Sequence, residues 1–228
     1  MLRGRPVGAV LFDLDDTLVP QAPWLAGAFA AVASEVEAAT GVPATRALDA
    51  LLAHAARGSA RGGIIDAAVA SLGLTVPVAP LVDTFRAYRA ARLDPFPGAR
   101  AVVARLRSTV PVGLVTDGDP GIQRAKLAAS GLDGAFDVVV CSDELGRAYR
   151  KPHPLPYRSA LRVLGVGAED TVFVGDRPDT DLVGAAALGM ATVRVTTGEY
   201  ARSPDVVPPT ATVPHVRMVA ELLALPAP

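Results

Sequence analysis

Asparagine is absent from the 228-residue sequence, cysteine occurs once, and lysine occurs only as Lys126 and Lys151, against twenty arginines. The single Cys141 excludes an intramolecular disulfide and fits a reducing, cytoplasmic setting. It follows the apolar run 136–140 with no nucleophile signature around it, so it reads as a buried small hydrophobe. The shortage of lysine and asparagine beside abundant alanine reads as the codon bias of a GC-rich genome. A lysine that persists against that bias marks a specific need. Neither sign of charge is in excess. The net charge of −1 leaves no electrostatic footprint for nucleic acid or for an anionic membrane surface. Long hydrophobic runs are missing too, and none approaches the length of a membrane-spanning helix. The run 7–12, although preceded by Arg3 and Arg5, is too short for the core of a signal peptide and ends in Asp13.

What remains is the composition of a globular, soluble chain, half hydrophobic and one-fifth charged. The length suits one large α/β domain or a core with a small insert. Four short apolar runs, 7–12, 112–115, 136–140 and 171–174, each lead into a polar cluster, and a fifth, 191–195, leads into Thr196. Valine-rich runs of this length read as strands buried on both faces. Amphipathic stretches at 99–107, 122–129, 155–164 and 182–188 alternate with them, and Gly131, Gly165 and Gly189 stand where helices should stop. The alternation predicts an α/β fold with a doubly wound parallel sheet. Residues 20–94 break it, since 22–39, 44–56, 63–72 and 78–92 all favour helix with no strand between them. The expected organisation is a core domain of residues 1–19 and 95–228 with an inserted helical domain of 20–94. The proline-rich stretch 203–214 reads as irregular, and 216–225 as a closing helix.

In open α/β sheets, active sites form at the carboxyl ends of strands, and four such ends carry matching chemistry. The first delivers Asp13, Asp15, Asp16 and Thr17. Asp15 or Asp16 could simply cap the next turn, but capping does not explain why Asp13 directly ends the strand. As chemistry, Asp13 is placed to attack phosphorus as a carboxylate nucleophile. Asp15 is placed to protonate a leaving oxygen and later to deprotonate water. The second end delivers Thr116, Asp117 and Gly118, whose hydroxyl and N–H groups suit phosphate oxygens, although Thr116 taken alone reads first as a turn or capping residue. The third is Arg150-Lys151-Pro152-His153. Its compact ammonium suits neutralising a phosphoryl group and an attacking carboxylate together; the plain alternative is a solvated loop lysine. Lys126, inside a helical stretch, reads as a solvated surface lysine, and His153 as structural. The fourth holds Asp176, Asp179 and Asp181, hard oxygen donors that suit Mg²⁺, with Asp179 also able to cap a helix.

In order and spacing these motifs resemble those of the haloacid dehalogenase superfamily. They are Asp-x-Asp-x-Thr at 13–17, the strand-terminal Thr116, the Lys-Pro of Lys151, and Gly-Asp-x-x-x-x-Asp at 175–181. The resemblance covers roughly residues 5–19 and 95–198, and the insert lies where that family carries a helical cap. Residues 116–127 with 175–189 look most like the phosphatase branch that includes N-acylneuraminate-9-phosphatase-like and phosphoglycolate-phosphatase-like members. The resemblance implies a Mg²⁺-dependent phosphatase that acts on a small phosphorylated metabolite through an aspartyl-phosphate. Asp13 would be nucleophile and metal ligand, and Asp15 acid/base and metal ligand through its carbonyl. Thr116, Asp117 and Lys151 would meet the phosphoryl group. Asp176 would be the metal carboxylate, with Asp181 in support. One position departs from the pattern: the related phosphatases carry asparagine after the threonine, where this chain has Asp117. If only the backbone N–H meets phosphate there, little is lost; a side-chain carboxylate facing phosphate would weaken binding.

The acid at Asp15 sets aside dehalogenases and phosphonatases, for which the resemblance predicts a non-acidic residue. A phosphomutase resembling β-phosphoglucomutase shares the paired aspartates and stays open. In that case His54, Arg57 and Arg61 could face a sugar phosphate; otherwise they form a solvated helix face. A non-enzymatic phosphate-binding protein is the reading from a different class, and the complete set of acids, threonine and lysine opposes it. The expected partner is a small phosphate ester, and the oligomeric state is not legible.

Overall fold

The computed structural model describes residues 6–223. The chain forms two compact units, one made of the segment up to Gln21 with everything from Arg92 onward, the other of Ala22–Ala91. Arg3 and Arg5 lie outside the described residues.

The chain opens with strand β1 (Ala9–Phe12), every residue of which is buried. Four helices follow: α1 (Gln21–Thr40), α2 (Ala44–Ala55), α3 (Ile64–Ser71) and α4 (Val78–Ala87). Along α1, Phe29, Val32, Ala33 and Val36 recur at helical spacing and pack with Leu51, Ile65, Val69 and Leu81 into this unit's own core. Fully burying each large side chain contributes about 1.5–3 kcal/mol. Helix α4 stops at Ala87 rather than at 92, because Tyr88 turns extended (φ −58°, ψ 134°) where its ring meets Trp24 edge-on. Arg57 and Arg61 are exposed and His54 is half-buried.

The second unit resumes with α5 (Ala99–Arg107), β2 (Val112–Thr116), α6 (Pro120–Ser130), β3 (Val138–Cys141), α7 (Pro154–Leu164) and β4 (Thr171–Gly175). It closes with α8 (Val183–Ala187), β5 (Ala191–Val195), β6 (Ala211–Val213) and α9 (Val219–Leu222). The six strands form one parallel sheet in the order β3-β2-β1-β4-β5-β6. This is the doubly wound α/β sheet expected from the alternation of strands and helices. On one face Leu11, Val115, Val140 and Phe173 pack under Tyr157, Leu161 and Ala185 of α7 and α8. The four inner strands are buried throughout, which explains their continuous apolar runs.

Strand order reverses at β1: the chain first builds outward to β2 and β3, then returns to lay β4 on the other side. Ligands of such sheets sit in the crevice at this reversal, outside the carboxyl ends. The N–H of Asp13 donates to Val174 O at 2.9 Å, so the first residue past β1 is still pinned to β4.

Four further local expectations are corrected. β3 starts at Val138 because Asp137 is used to close the sheet edge: its N–H meets Val112 O at 2.8 Å, and its Oδ2 accepts from Val112 N at 2.8 Å. The stretch read as irregular contains β6, too short to show a periodicity and held at its start by reciprocal bonds between Thr192 and Thr210. The helix expected over 182–188 begins earlier, as a π-helical turn over Pro178–Leu182. The closing helix is reduced to a 3₁₀ turn at Val216–Met218 and α9; residues 224 and 225 of the expected span lie outside the described residues. Among the described residues, no helix is long and apolar enough to cross a membrane.

Candidate active site

Three strand ends and one loop converge at the crevice. β1 delivers Asp13, β2 delivers Thr116 and β4 delivers Asp176, while Lys151 arrives from the loop before α7. Asp13, Thr116, Lys151, Asp176 and Asp181 are all buried. Lys151 Nζ donates to Asp13 Oδ1 and to Val115 O at 3.2 Å. It also pairs with Asp181 Oδ1 at 2.7 Å, as a charge contact without hydrogen-bond alignment.

The lysine's approach is fixed from two sides. Arg150 grips Asp143 with two bonds of 2.6 Å, and the Lys151 N–H donates to Asp117 Oδ1 at 3.1 Å. The Asp117 carboxylate therefore ties the second motif to the third. His153 caps α7, its Nδ1 accepting from Leu155 N at 3.2 Å.

Asp13, Asp176 and Asp181 each offer one carboxylate oxygen within 4.8 Å of the others. The π-helical turn turns Asp181 back toward β4, where its Oδ2 accepts from Arg177 N at 3.2 Å. Tyr157 Oη donates to Thr180 O and Asp181 O at 3.0 and 3.1 Å and holds that turn. A Cβ at Gly175 would lie 2.5 Å from Asp181 Oδ2, so only glycine lets this carboxylate fold back. Thr17 Oγ1 donates to Asp176 Oδ1 at 3.2 Å and orients it.

Three buried acids around one ammonium leave excess negative charge. Burial, together with Asp181 and Asp15, pushes the Asp13 carboxyl up to about 8 against the pull of Lys151. Burial and the neighbouring acids Asp181, Asp13 and Asp16 raise Asp176 well above the usual carboxylate range. Burial alone would lower the Lys151 ammonium, but Asp13, Asp181 and Asp117 outweigh it and hold the group well above its ordinary value. A buried, all-oxygen, over-negative cluster fits a hard divalent cation. The Cys141 thiol, pushed up to about 11 chiefly by burial, is inert by comparison.

The Asp15 carboxylate does not join the trio. Its two oxygens meet Lys126 Nζ at 2.7 and 2.8 Å, and Oδ2 accepts from Gln123 Nε2 at 3.0 Å. Lys126 is thus no solvated surface lysine: its side chain is 3% exposed, because α6 turns it inward toward the first motif. Gln123, unremarked in the sequence, also donates to Thr116 Oγ1 at 2.6 Å and Asp117 O at 2.9 Å. The signal that could have found both was scarcity, since the chain has only two lysines and two glutamines.

Asp16 does cap its turn. Its carboxylate accepts from Gln21 N at 2.9 Å and Glu199 N at 3.0 Å, and its carbonyl accepts from Thr197 Oγ1. Its φ is +57°. The β5–β6 loop is thereby fastened to the first motif, so closely that a Cβ at Gly198 would sit 2.0 Å from Asp16 Cγ. Asp179 pairs with Arg177 at 2.9 Å instead of capping.

The sequence profile of the haloacid dehalogenase-like hydrolases matches residues 7–189, and the chain belongs to that family. Glyceraldehyde 3-phosphate phosphatase of Methanocaldococcus jannaschii is 34% identical over 200 residues, covering 85% of this chain and 87% of the relative. Phosphoglycolate phosphatase of Rhodospirillum rubrum is 34% identical over 209 residues, covering 86% and 82%. In fold, the chain matches a haloacid dehalogenase-type phosphatase of Thermococcus onnurineus with TM-score 0.70 at 23% identity, over 97% of this chain and all of the other. The chain is accordingly a phosphoric monoester hydrolase of this family.

Proposed function

We propose that the protein hydrolyses a small phosphate monoester in two steps through an aspartyl-phosphate on Asp13, with Mg²⁺ held by Asp13, Asp176 and Asp181. The observation that carries this reading is the buried Asp13 carboxylate, bound by Lys151 and flanked by two further acids. Mg²⁺ would lower the repulsion between an anionic nucleophile and an anionic phosphate. In the first step an Asp13 oxygen bonds to phosphorus, the ester P–O bond breaks, and a proton on Asp15 passes to the leaving oxygen. Lys151 and Thr116 hold the phosphoryl oxygens as charge builds on them. In the second step Asp15 takes a proton from water, the water oxygen bonds to phosphorus, and the bond to Asp13 breaks, which releases inorganic phosphate. The two phosphatases compared above are named for short-chain phosphates, a triose phosphate and phosphoglycolate, and we infer a substrate of that size.

The test is phosphate release from a panel of small phosphate monoesters with Mg²⁺ or with chelator. Activity should require the metal, and Asp13→Asn should abolish it in a folded protein. Beryllium fluoride should label Asp13. Turnover by folded Asp13→Asn would refute the covalent route, and conversion of a substrate to its phosphorylated isomer without phosphate release would make the protein a mutase.

A further inference from the structure

We propose that Lys126 and Gln123 are positioning residues for Asp15, so that the acid/base carboxylate is aimed by helix α6 and not by its own loop. The proposal rests on the acid/base role given to Asp15 above.

Burying an ammonium costs several kcal/mol unless a carboxylate compensates it. Lys126 is buried nonetheless, and it reaches both oxygens of Asp15. The partner is chosen as carefully as the cation. Each of the chain's two lysines ends on a carboxylate of the first motif, Lys151 on Asp13 and Lys126 on Asp15. Twenty arginines were available for an ordinary ion pair.

Gln123 and Lys126 stand three residues apart and so share one face of α6. The helix that carries them is fixed at both ends. Asp119 caps it, accepting from Ile122 N at 3.0 Å, Pro120 opens it, and Gly131 closes it in the left-handed conformation. The amide of Gln123 binds Thr116 Oγ1 and Asp15 Oδ2 at once. One nitrogen therefore sets the distance between the phosphate-binding hydroxyl and the acid/base. The Asp15 side chain is 18% exposed, against 8% for Asp13 and 0% for Asp181, and without α6 its carboxylate would be free to rotate. A misplacement of about 1 Å in such a group is worth on the order of 10²-fold in rate.

Leaving-group dependence isolates this role. A basic alkoxide needs a proton as it departs, whereas dinitrophenolate does not. The experiment compares kcat/KM, which reports the first phosphoryl transfer, for wild type, Asp15→Asn, Lys126→Met and Lys126→Gln. The two substrates are the best alkyl phosphate of the panel and 2,4-dinitrophenyl phosphate. Lys126→Met is expected to lose at least about tenfold more on the alkyl ester than on the aryl ester. Lys126→Gln, which keeps a donor, should recover part of that difference.

Equal losses on both esters would reduce Lys126 to a structural residue and overturn the proposal. So would failure of both Lys126 variants to fold. If Asp15→Asn shows the leaving-group effect and the Lys126 variants do not, the positioning role alone falls. If Asp15→Asn shows none, the acid/base assignment falls and takes the proposal with it.

Discussion

Lys151→Arg changes shape at constant charge, and the structure says why shape matters. Three oxygens surround the ammonium: Asp13 Oδ1, Asp181 Oδ1 at 2.7 Å and Val115 O at 3.2 Å. An ammonium puts charge and donors on one atom, which serves the two hydrogen-bonded oxygens and the charge contact to Asp181 together. A guanidinium spreads five donors over a rigid plane. There is no slack to absorb the difference, since the Lys151 side chain is 3% exposed and the Phe173 ring centroid lies 5.8 Å from Nζ. Arginine must displace either Asp13 or Asp181. The expected loss is at least about tenfold in kcat, equivalent to roughly 1.4 kcal/mol of transition-state stabilisation. Lys151→Met removes the charge altogether and should lose about 10²–10³-fold. It should also destabilise the metal-free fold by about 3–5 kcal/mol, because buried acids are left without their cation. Steady-state kinetics at saturating Mg²⁺, with circular dichroism as a folding control, gives the answer. Wild-type kcat in Lys151→Arg would mean that a cation of any shape suffices there and would refute the argument.

Two further outcomes follow from the same geometry. Asp13 titrates near 8 in the fold and Asp176 is also raised, so the metal-free protein keeps protons that the unfolded chain releases near the ordinary carboxylate value. That stability is present at low pH and lost as pH rises, so the melting temperature of chelator-treated protein should fall between about pH 5 and about pH 8.5, with Mg²⁺ restoring it at the upper end. A melting temperature independent of pH and metal would contradict the cluster's charge state. Asp16→Ala removes a carboxylate that accepts two backbone N–H groups, and bonds of this charged type are worth about 1.5–3 kcal/mol each. Urea unfolding should show a loss in that range or above, and an unchanged midpoint would mean that the β5–β6 loop is held by other contacts.

The parts of the fold visible in the sequence were those where one physical demand dominates. Strands buried on both faces must be continuously apolar, so β1, β2, β4 and β5 stood out. The three-residue edge strand β6 has one exposed and one half-buried position and carries no such pattern; it exists because Thr192 and Thr210 exchange bonds. The π-helical turn was hidden for a different reason. It is imposed by a distant hydroxyl, that of Tyr157, and no local propensity announces it. At the site, the acids and Thr116 are legible as polar residues past the ends of apolar runs, and Lys151, which comes from a loop, through its Lys-Pro motif and the scarcity of lysine. The burial of Lys126 is not legible in the sequence, because a single charge inside a helix says nothing about which way that helix faces. Its burial depends on the placement of α6 beside the first motif, a tertiary fact. The rarity of lysine is the better guide, and it applies to both Lys126 and Lys151.

The two lysines divide the site's charge into separate tasks. Four carboxylates, Asp13, Asp15, Asp176 and Asp181, face two ammoniums. The Lys126–Asp15 pair neutralises itself, so the acid/base adds little net field at the phosphoryl position. The remaining three acids share Lys151, and ionising all of them would leave two uncompensated negative charges, which one divalent cation would balance. Where Asp15 is a carboxylate, as in the proposed second step, Lys126 keeps its charge from adding to the negative charge around Asp13. On this argument Lys126→Met harms the enzyme twice, through the aim of the acid/base and through the charge next to Asp13. Only the first effect depends on the leaving group, which is why the comparison of alkyl with aryl esters separates them.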